Sequence, residues 1–355
     1  MNYDLATTDL TYADLIARMR SRELLPLWEQ VRRLNTDHPQ PKAVPWLWRG
    51  EDIRPLAEAA GRLVTIDRGG DRRVLVLANP GLDGMPFTSS TLWGAIQYLG
   101  PRETAPAHRH TAAALRFVLE GSGVFTTVNG DRVDMAAGDL ILTPGWDWHD
   151  HTNTSDGSMA WFDGLDLPAV YNLDAVFFER FAESMQPLTG SDLSEVTHAE
   201  AGVRPTTEEV PLKRQVRYRW ERTDRALDAL LRESGQCSAT IEYIDTRTGG
   251  SVLPTIACEA QRLLPGYRTP TRRHAGSRIC VVYEGSGIAV IGGKRFDWER
   301  GDVFVAPSWA AIDLESHTPS SLFWMTDRPL LQALGLYRQH QAEQHQVIEA
   351  TFEPT

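Results

Sequence analysis

Between residues 10 and 34, Leu15, Ile16, Met19, Leu24, Leu25, Leu27, Trp28 and Val31 recur at mixed three- and four-residue steps between charged positions, which is a helical period. The first 60 residues are therefore expected to form a mostly helical arm. PQPKAVPWLWRGEDIRP follows, with three prolines before position 50 and two tryptophans, and reads as an irregular segment laid over another surface, of this chain or of another subunit. From about residue 74 the pattern changes to short apolar runs closed by turns: VLVLANPG, TLWGAIQYLGP, ALRFVLEGSG, VFTTVNGDR, DMAAGD and LILTPG. Short strands joined by Asn-Gly and other Gly-containing hairpins follow from this, making the half all-β and barrel-like. Residues 170–200 read as helical again, with FFERFAESM the clearest patch, and SDLSEVTHAEAGVRPTTEEV reads as a polar connection. A second β-rich stretch begins near 238 and ends near 326.

The two β stretches repeat one another. APAHRHTAAALRFVLEGSG aligns without gaps on TPTRRHAGSRICVVYEGSG, and GDLILTPGW on GDVFVAPSW, with an offset of 164 residues for Gly121 and Gly285 and 163 for Pro144 and Pro307. A register held across two separate blocks implies two copies of one barrel. The expected division is a helical arm and irregular cover at 1–73, a first barrel at 74–170, a helical and polar connection at 171–237, a second barrel at 238–328 and a C-terminal tail at 329–355.

Composition narrows the class. With 355 residues the chain suits two domains, and 42% hydrophobic against 23% charged residues is the balance of a soluble globular protein. A net charge of -11 argues against nucleic acid, which needs a clustered basic face, but leaves room for a small anion bound where Arg is locally concentrated. Cys237, Cys258 and Cys280 form no CxxC pair, so neither a disulfide framework nor a thiolate metal site is indicated and a reducing compartment is expected. MNYDLATTDLTYADLIARMR has no basic region followed by an apolar core, and no run approaches the roughly 18 apolar residues of a membrane span, so a cytoplasmic enzyme is expected.

The chemistry concentrates in the first copy. His108 and His110 stand two apart on an extended segment and project from one face, while His149 follows a Gly-Asp hairpin and a Pro, where a returning strand can face the pair. Three imidazoles so placed would bind one divalent metal ion. A histidine-rich β surface or a structural zinc site is the plainer alternative, but structural zinc is usually closed by four ligands. The blocks read HxH, three residues, Ala114, six residues, Gly121, and then Gly138, five residues, Pro144, four residues, His149, three residues, Asn153. This spacing resembles the two motifs of the cupin superfamily, whose metal is held by three His and often a Glu. Here Ala114 stands at the Glu position and Trp146 at a Gly position. Without the carboxylate, three neutral imidazoles leave the dipositive charge uncompensated and coordination positions open for a chelating anion.

Strand parity adds a shell. Arg116 shares a face with His108 and His110, with the small Ala112 and Ala114 between them leaving room for a ligand. Trp93, Ala95 and Gln97 give an aromatic wall, a gap and an amide, and His151, two past the third ligand, could either support the ligands from behind or act as acid and base. Arg68 and Arg72 in DRGGDRR could clamp a carboxylate bidentately, although an Arg in a Gly-rich turn is more often solvated.

The stretches RRVLVLANPGL, APAHRHTAAALRF, GDLILTPGWDWHDHTN and WFDGLDLPAV resemble the gentisate 1,2-dioxygenase family, with its relatives acting on salicylate and 1-hydroxy-2-naphthoate, over most of the chain. The resemblance implies a bicupin of two double-stranded β-helix (jelly-roll) barrels with the helical arm and connection described above. It implies Fe(II), one per subunit in the N-terminal barrel, on His108, His110 and His149, and a substrate shell of Arg68, Arg72, Arg116, Trp93, Gln97, His151 and Asp163. It also implies a homotetramer that opens gentisate with O2 between the carboxyl- and hydroxyl-bearing carbons to give maleylpyruvate. Salicylate or 1-hydroxy-2-naphthoate cleavage is the rival within the class, and a non-catalytic bicupin binding a small anion the rival outside it. The second barrel keeps only His274 of the triad, with Arg272 at the first His position and Ile312 or Asp313 at the third, so no metal is expected there.

Overall fold

The computed structural model describes residues 10–64, 73–191, 195 and 214–353. The chain forms two compact units, residues 1–40 and residues 41–355. In the first, helices Tyr12–Arg20 and Leu27–Leu34 match the helical period. Thr11 and Asp14 close a capping box at the start of the first helix, and Tyr12 Oη donates to Glu29 and accepts from Trp28 Nε1, tying the two together. The second helix buries none of its residues, leaving Leu27, Trp28, Val31 and Leu34 exposed. Among the described residues no helix is long and apolar enough to cross a membrane.

The second unit holds two barrels, each built from two six-stranded sheets. In the first barrel one sheet runs Arg217–Tyr218, Leu140–Thr143, Ala114–Glu120, Met159–Leu165, Trp93–Leu99, Val74–Val76, and the other Phe178–Arg180, Thr104–His110, His149–Asn153, Val124–Val128, Asp131–Asp134, Gly190–Ser191. The second barrel repeats the order with Trp46–Trp48, Val303–Ala306, Arg278–Glu284, Ser320–Thr326, Ala257–Leu263, Ser238–Tyr243, and with Gln339–Gln341, Arg272–His274, Ile312–Ser316, Ser286–Ile291, Lys294–Glu299, Ala350–Thr351. Alternation assigns the faces: Leu115 and Phe117 enter a core shared by both barrels, whereas Arg116 and Val118 on the same strand face the first barrel's interior. Phe117 stacks on Phe323 of the second barrel at 4.3 Å between ring centroids.

The barrels exchange edges. Trp46–Trp48, which precedes the first barrel, pairs with Val303–Ala306 of the second, and the helix that follows it, Gly50–Leu63, packs on strands of the first. Arg217–Tyr218 pairs with Leu140–Thr143 of the first barrel, and its following helix, Trp220–Ser234, packs on the second. The Asp of each repeated Gly-Asp block holds the turn between strand and helix. Asp302 accepts from Gly50 N–H at 2.8 Å and Arg49 at 3.0 Å, and Asp139 from Trp220 N–H at 2.9 Å and Arg217 at 2.8 Å. The segment read as an irregular cover thus supplies a strand.

FFERFAESM corrects the sequence reading. Leu167–Asn172 is a short helix at the start of this stretch, and Phe178–Arg180, within FFERFAESM, is a strand antiparallel to Thr104–His110. The edge of Thr104–His110 offered its backbone partners that outweighed a helical preference, since tertiary pairing overrides weak local propensity. A longer helix of the connection lies later, at Trp220–Ser234. Most of SDLSEVTHAEAGVRPTTEEV lies outside the described residues. Residues read as a C-terminal tail also carry structure, namely Arg328–Ala333 and the two strands that edge the second barrel.

Candidate metal centre and its cavity

His108 and His110 lie on Thr104–His110 and His149 opens the antiparallel strand His149–Asn153, directly opposite His108. A register shift between Ala105 and His108 brings the His108–His149 pair into line. Ring centroids are 4.2 Å apart for His108 and His149, 4.9 Å for His110 and His149, and 5.5 Å for His108 and His110. One ring nitrogen from each lies within 4.8 Å of the others.

The tautomers are set by the backbone. Nδ1 of His108 meets Pro106 O at 2.8 Å, that of His110 meets Ala112 O at 2.7 Å, and that of His149 meets Asp147 O at 3.0 Å. A carbonyl only accepts, so each Nδ1 carries the proton and each Nε2 becomes the lone-pair nitrogen. Nε2 of His149 is fully buried with no hydrogen-bond partner among the described residues, as an atom intended for a metal would be. Burial, followed by His108, Arg116 and His110, holds the His149 pKa well below the ordinary imidazole value, so the ring stays neutral as a ligand must. The donor set therefore fits a divalent metal.

A cavity of about 530 Å³ opens over these nitrogens, and the structure brings Trp93, Gln97, Arg116, His151 and Asp163 to its wall. Arg116 is fully buried. Its Nη1 donates to Thr143 Oγ1 at 2.5 Å, and its Nε lies 3.4 Å from Asp163 Oδ1, on the residue directly opposite in the sheet. Desolvation lowers the guanidinium pKa and Asp163 opposes that fall; an Arg keeps its charge in either case. Asp163 also accepts from Trp161 Nε1 at 3.0 Å. His151, buried beside Trp161, shares a hydrogen bond of 2.8 Å between its Nδ1 and Thr126 Oγ1. Arg68 and Arg72 lie outside the described residues.

Sequence reasoning missed Phe177, Phe178 and Arg180, which also line the cavity. Phe178 stands opposite His110 and stacks at 5.5 Å on His108, and Arg180 stands opposite His108. The signal was present: read with period two, FFERF places Phe178 and Arg180 on one face and Glu179 on the other, where it binds Arg109. Trp146 takes φ +70°, the left-handed conformation that the expected Gly adopts without strain, and Trp309 repeats it at +65° in the second barrel. Arg109 packs over Trp146 at 4.4 Å and over Trp148 at 4.5 Å, so the unusual residue gains a surface contact that Gly would lack.

Paired barrels with an open three-imidazole centre beside a buried guanidinium define a metal-binding bicupin. The family model for the cupin domain matches residues 95–165. A gentisate 1,2-dioxygenase of Streptomyces sp is 44% identical over 343 residues, spanning 93% of this chain and 95% of its own length. The crystal structure of a salicylate 1,2-dioxygenase from Pseudaminobacter salicylatoxidans superposes with a TM-score of 0.89 at 43% identity, covering 95% of this chain and 99% of that one. Its adducts with gentisate give a TM-score of 0.86 at 42% identity over 97% of this chain and 96% of that one. The chain belongs to the family of gentisate, salicylate and 1-hydroxy-2-naphthoate 1,2-dioxygenases, oxidoreductases that incorporate both atoms of O2. That kinship disfavours a non-catalytic anion-binding bicupin.

Proposed function

We propose that the protein is a gentisate 1,2-dioxygenase whose one Fe(II) per chain is held in the first barrel by His108, His110 and His149. The convergence of three Nε2 atoms on a cavity that carries the buried guanidinium of Arg116 supports this reading most directly. When bound, iron supplies a Lewis-acidic, redox-active centre that couples an electron-rich ring to triplet dioxygen, which spin-silent zinc cannot. Gentisate plus O2 gives maleylpyruvate with all atoms retained and no external reductant. Arg116 takes the substrate carboxylate as a charge-assisted partner, with Arg68 and Arg72 as further candidates for that clamp. Trp93 forms one ring wall, Gln97 offers an amide to a ring hydroxyl, and Asp163 fixes Arg116. His151 holds or moves the proton at Nε2, while Thr126 orients its other nitrogen.

Cleavage of salicylate is a second reading, favoured by the 43% identity to a salicylate 1,2-dioxygenase whose crystals also hold gentisate. The exposed apolar face of Leu27–Leu34 supports a homo-oligomer, a tetramer by family resemblance, and three free cysteines support a reducing cytoplasm. Anaerobic reconstitution with Fe(II), followed by gentisate and air, tests the proposal. Oxygen uptake with ring-opened product is expected. Activity with Zn(II) alone, or none with any ortho-hydroxy aromatic acid, overturns it.

A further inference from the structure

The second barrel keeps the architecture of the metal site and inverts its charge. Arg272 pairs with Ile312 where His108 pairs with His149. His274 O accepts from Trp309 N–H as His110 O accepts from Trp146 N–H, so His274 occupies the place of His110. Arg278 lies opposite Ala306 and Thr326, as Ala114 lies opposite Thr143 and Leu165, which puts a guanidinium where the cupin pattern expects its Glu ligand. Two of the four ligand positions thus carry permanent positive charge, and a cation is excluded.

A cavity of about 430 Å³ opens over these residues. Arg272, Arg278 and Arg328 line it against a single acid, Glu259. Glu259 pairs with Arg278 at 2.7 Å and Arg328 at 3.4 Å, and Arg328 is further met by Glu242 at 2.5 Å. Arg272 donates to Gln341 at 3.2 Å and has no ion pair among the described residues. Positive charge therefore exceeds negative at the cavity wall. Among the described residues two buried nitrogens have no partner there, the Nε–H donor of Arg278 and Nε2 of His274; Tyr337 Oη, which donates to Gln339 Oε1, accepts from His274 Nδ1 at 3.0 Å, so that Nε2 is a lone-pair acceptor. Burial, followed by Arg278, Arg272 and Arg328, lowers the His274 pKa to about 4, so the ring is neutral near pH 7 and serves as a hydrogen-bonding group. The walls are aromatic: Arg278 lies 4.6 Å over the Trp324 ring, and Tyr267 and Tyr337 line the same space.

We propose that the cavity of the second barrel is a binding site for a small aromatic carboxylate, whose carboxylate is received by Arg272 and Arg278 and whose ring lies against Trp324 and Tyr337. Guanidinium forks match a planar carboxylate, and the aromatic faces select an organic acid over a compact inorganic anion. The site requires no metal and is independent of the reading of the first barrel.

The test uses 4-bromobenzoate, which carries no ortho hydroxyl, with the full-length Fe(II)-loaded protein. Crystals soaked in it are expected to show an anomalous bromine peak inside the second barrel, its carboxylate on Arg272 or Arg278. In solution, calorimetric titration of Arg272→Gln is expected to show that site weakened by about tenfold or more, with kcat and KM for gentisate unchanged. Arg272 is exposed, so this variant should fold as wild type does. Arg278→Met serves as a second variant, and Glu259→Gln, which removes the competing acid, is expected to tighten binding. A bromine peak confined to the first barrel, binding at crystal concentration only, wild-type affinity in Arg272→Gln, or equal displacement by inorganic phosphate would each overturn the proposal.

Discussion

In the function proposed above, Arg116 is the residue that receives the substrate carboxylate. It is buried with Asp163 the one nearby carboxylate among the described residues, and one of its nitrogens is held by Thr143, so the guanidinium is fixed before any ligand arrives. Arg116→Gln should lower kcat/KM by about one to two orders of magnitude, the cost of one charge-assisted contact, while iron content stays stoichiometric. Arg116→Lys should not restore it, because an ammonium cannot hold Thr143 and a carboxylate in the same planar geometry. Steady-state kinetics beside metal analysis separates this from a ligand defect. His108→Ala should behave differently, losing iron and turnover together; a variant that kept stoichiometric iron would show the ligand assignment to be wrong. The triad was readable from sequence because two of its members are two residues apart and the third sits in a second recognisable block. Phe178 and Arg180 were misread: FFERF fits a period of two, but over a three-residue strand that fit does not outweigh the equally good fit to a helical turn.

At the level of elements, the exchanged strand-helix units make Asp139 and Asp302 equivalent in place but unequal in consequence. Arg217 and Asp139 are both buried, whereas Arg49, the partner of Asp302, reaches solvent more freely. Removing Asp139 leaves the buried Arg217 with Glu195 at 4.0 Å as its remaining carboxylate among the described residues, so Asp139→Ala should cost about 3 kcal/mol and Asp302→Ala clearly less. Urea midpoints of the two variants would show the difference, and equal losses would mean that helix capping rather than ion pairing dominates at both. The Gly-Asp blocks were visible as a repeat, and the barrel strands between them followed from alternation and turn residues. The exchange itself was not. WLW has no period to reveal it as a strand, and its partner, Val303–Ala306, lies more than two hundred residues further along the chain. Local pattern predicts that an edge strand exists more readily than which edge it joins.

Across the whole molecule the two barrels are tied into one cooperative structure by the stacked Phe117 and Phe323, by the exchanged edges, and by a reciprocal pair of buried carboxylates. Asp166 of the first barrel accepts from Ala113 N–H and from Thr255 Oγ1 of the second-barrel half at 2.5 Å. Asp327 of the second accepts from Ser277 N–H and from Thr91 Oγ1 of the first-barrel half. Burial is the main cause that pushes Asp327 up to about 6, its hydrogen bonds opposing the rise; in the unfolded chain an Asp titrates near 4. Between those values the folded protein binds the proton more tightly than the unfolded chain does. The stability it contributes is complete below about pH 4 and is lost as pH rises through about 6, an effect of roughly 3 kcal/mol at most. Asp327→Asn has no such titration. Relative to wild type it should therefore gain stability between pH 4 and pH 7, whatever constant penalty or benefit the amide brings at both. Guanidinium denaturation of the metal-free protein at the two pH values measures this directly. A difference between variant and wild type that stays flat across the window would show that Asp327 is ionised in the fold at acid pH, and that the contact with Thr91 is that of a carboxylate rather than of a carboxylic acid.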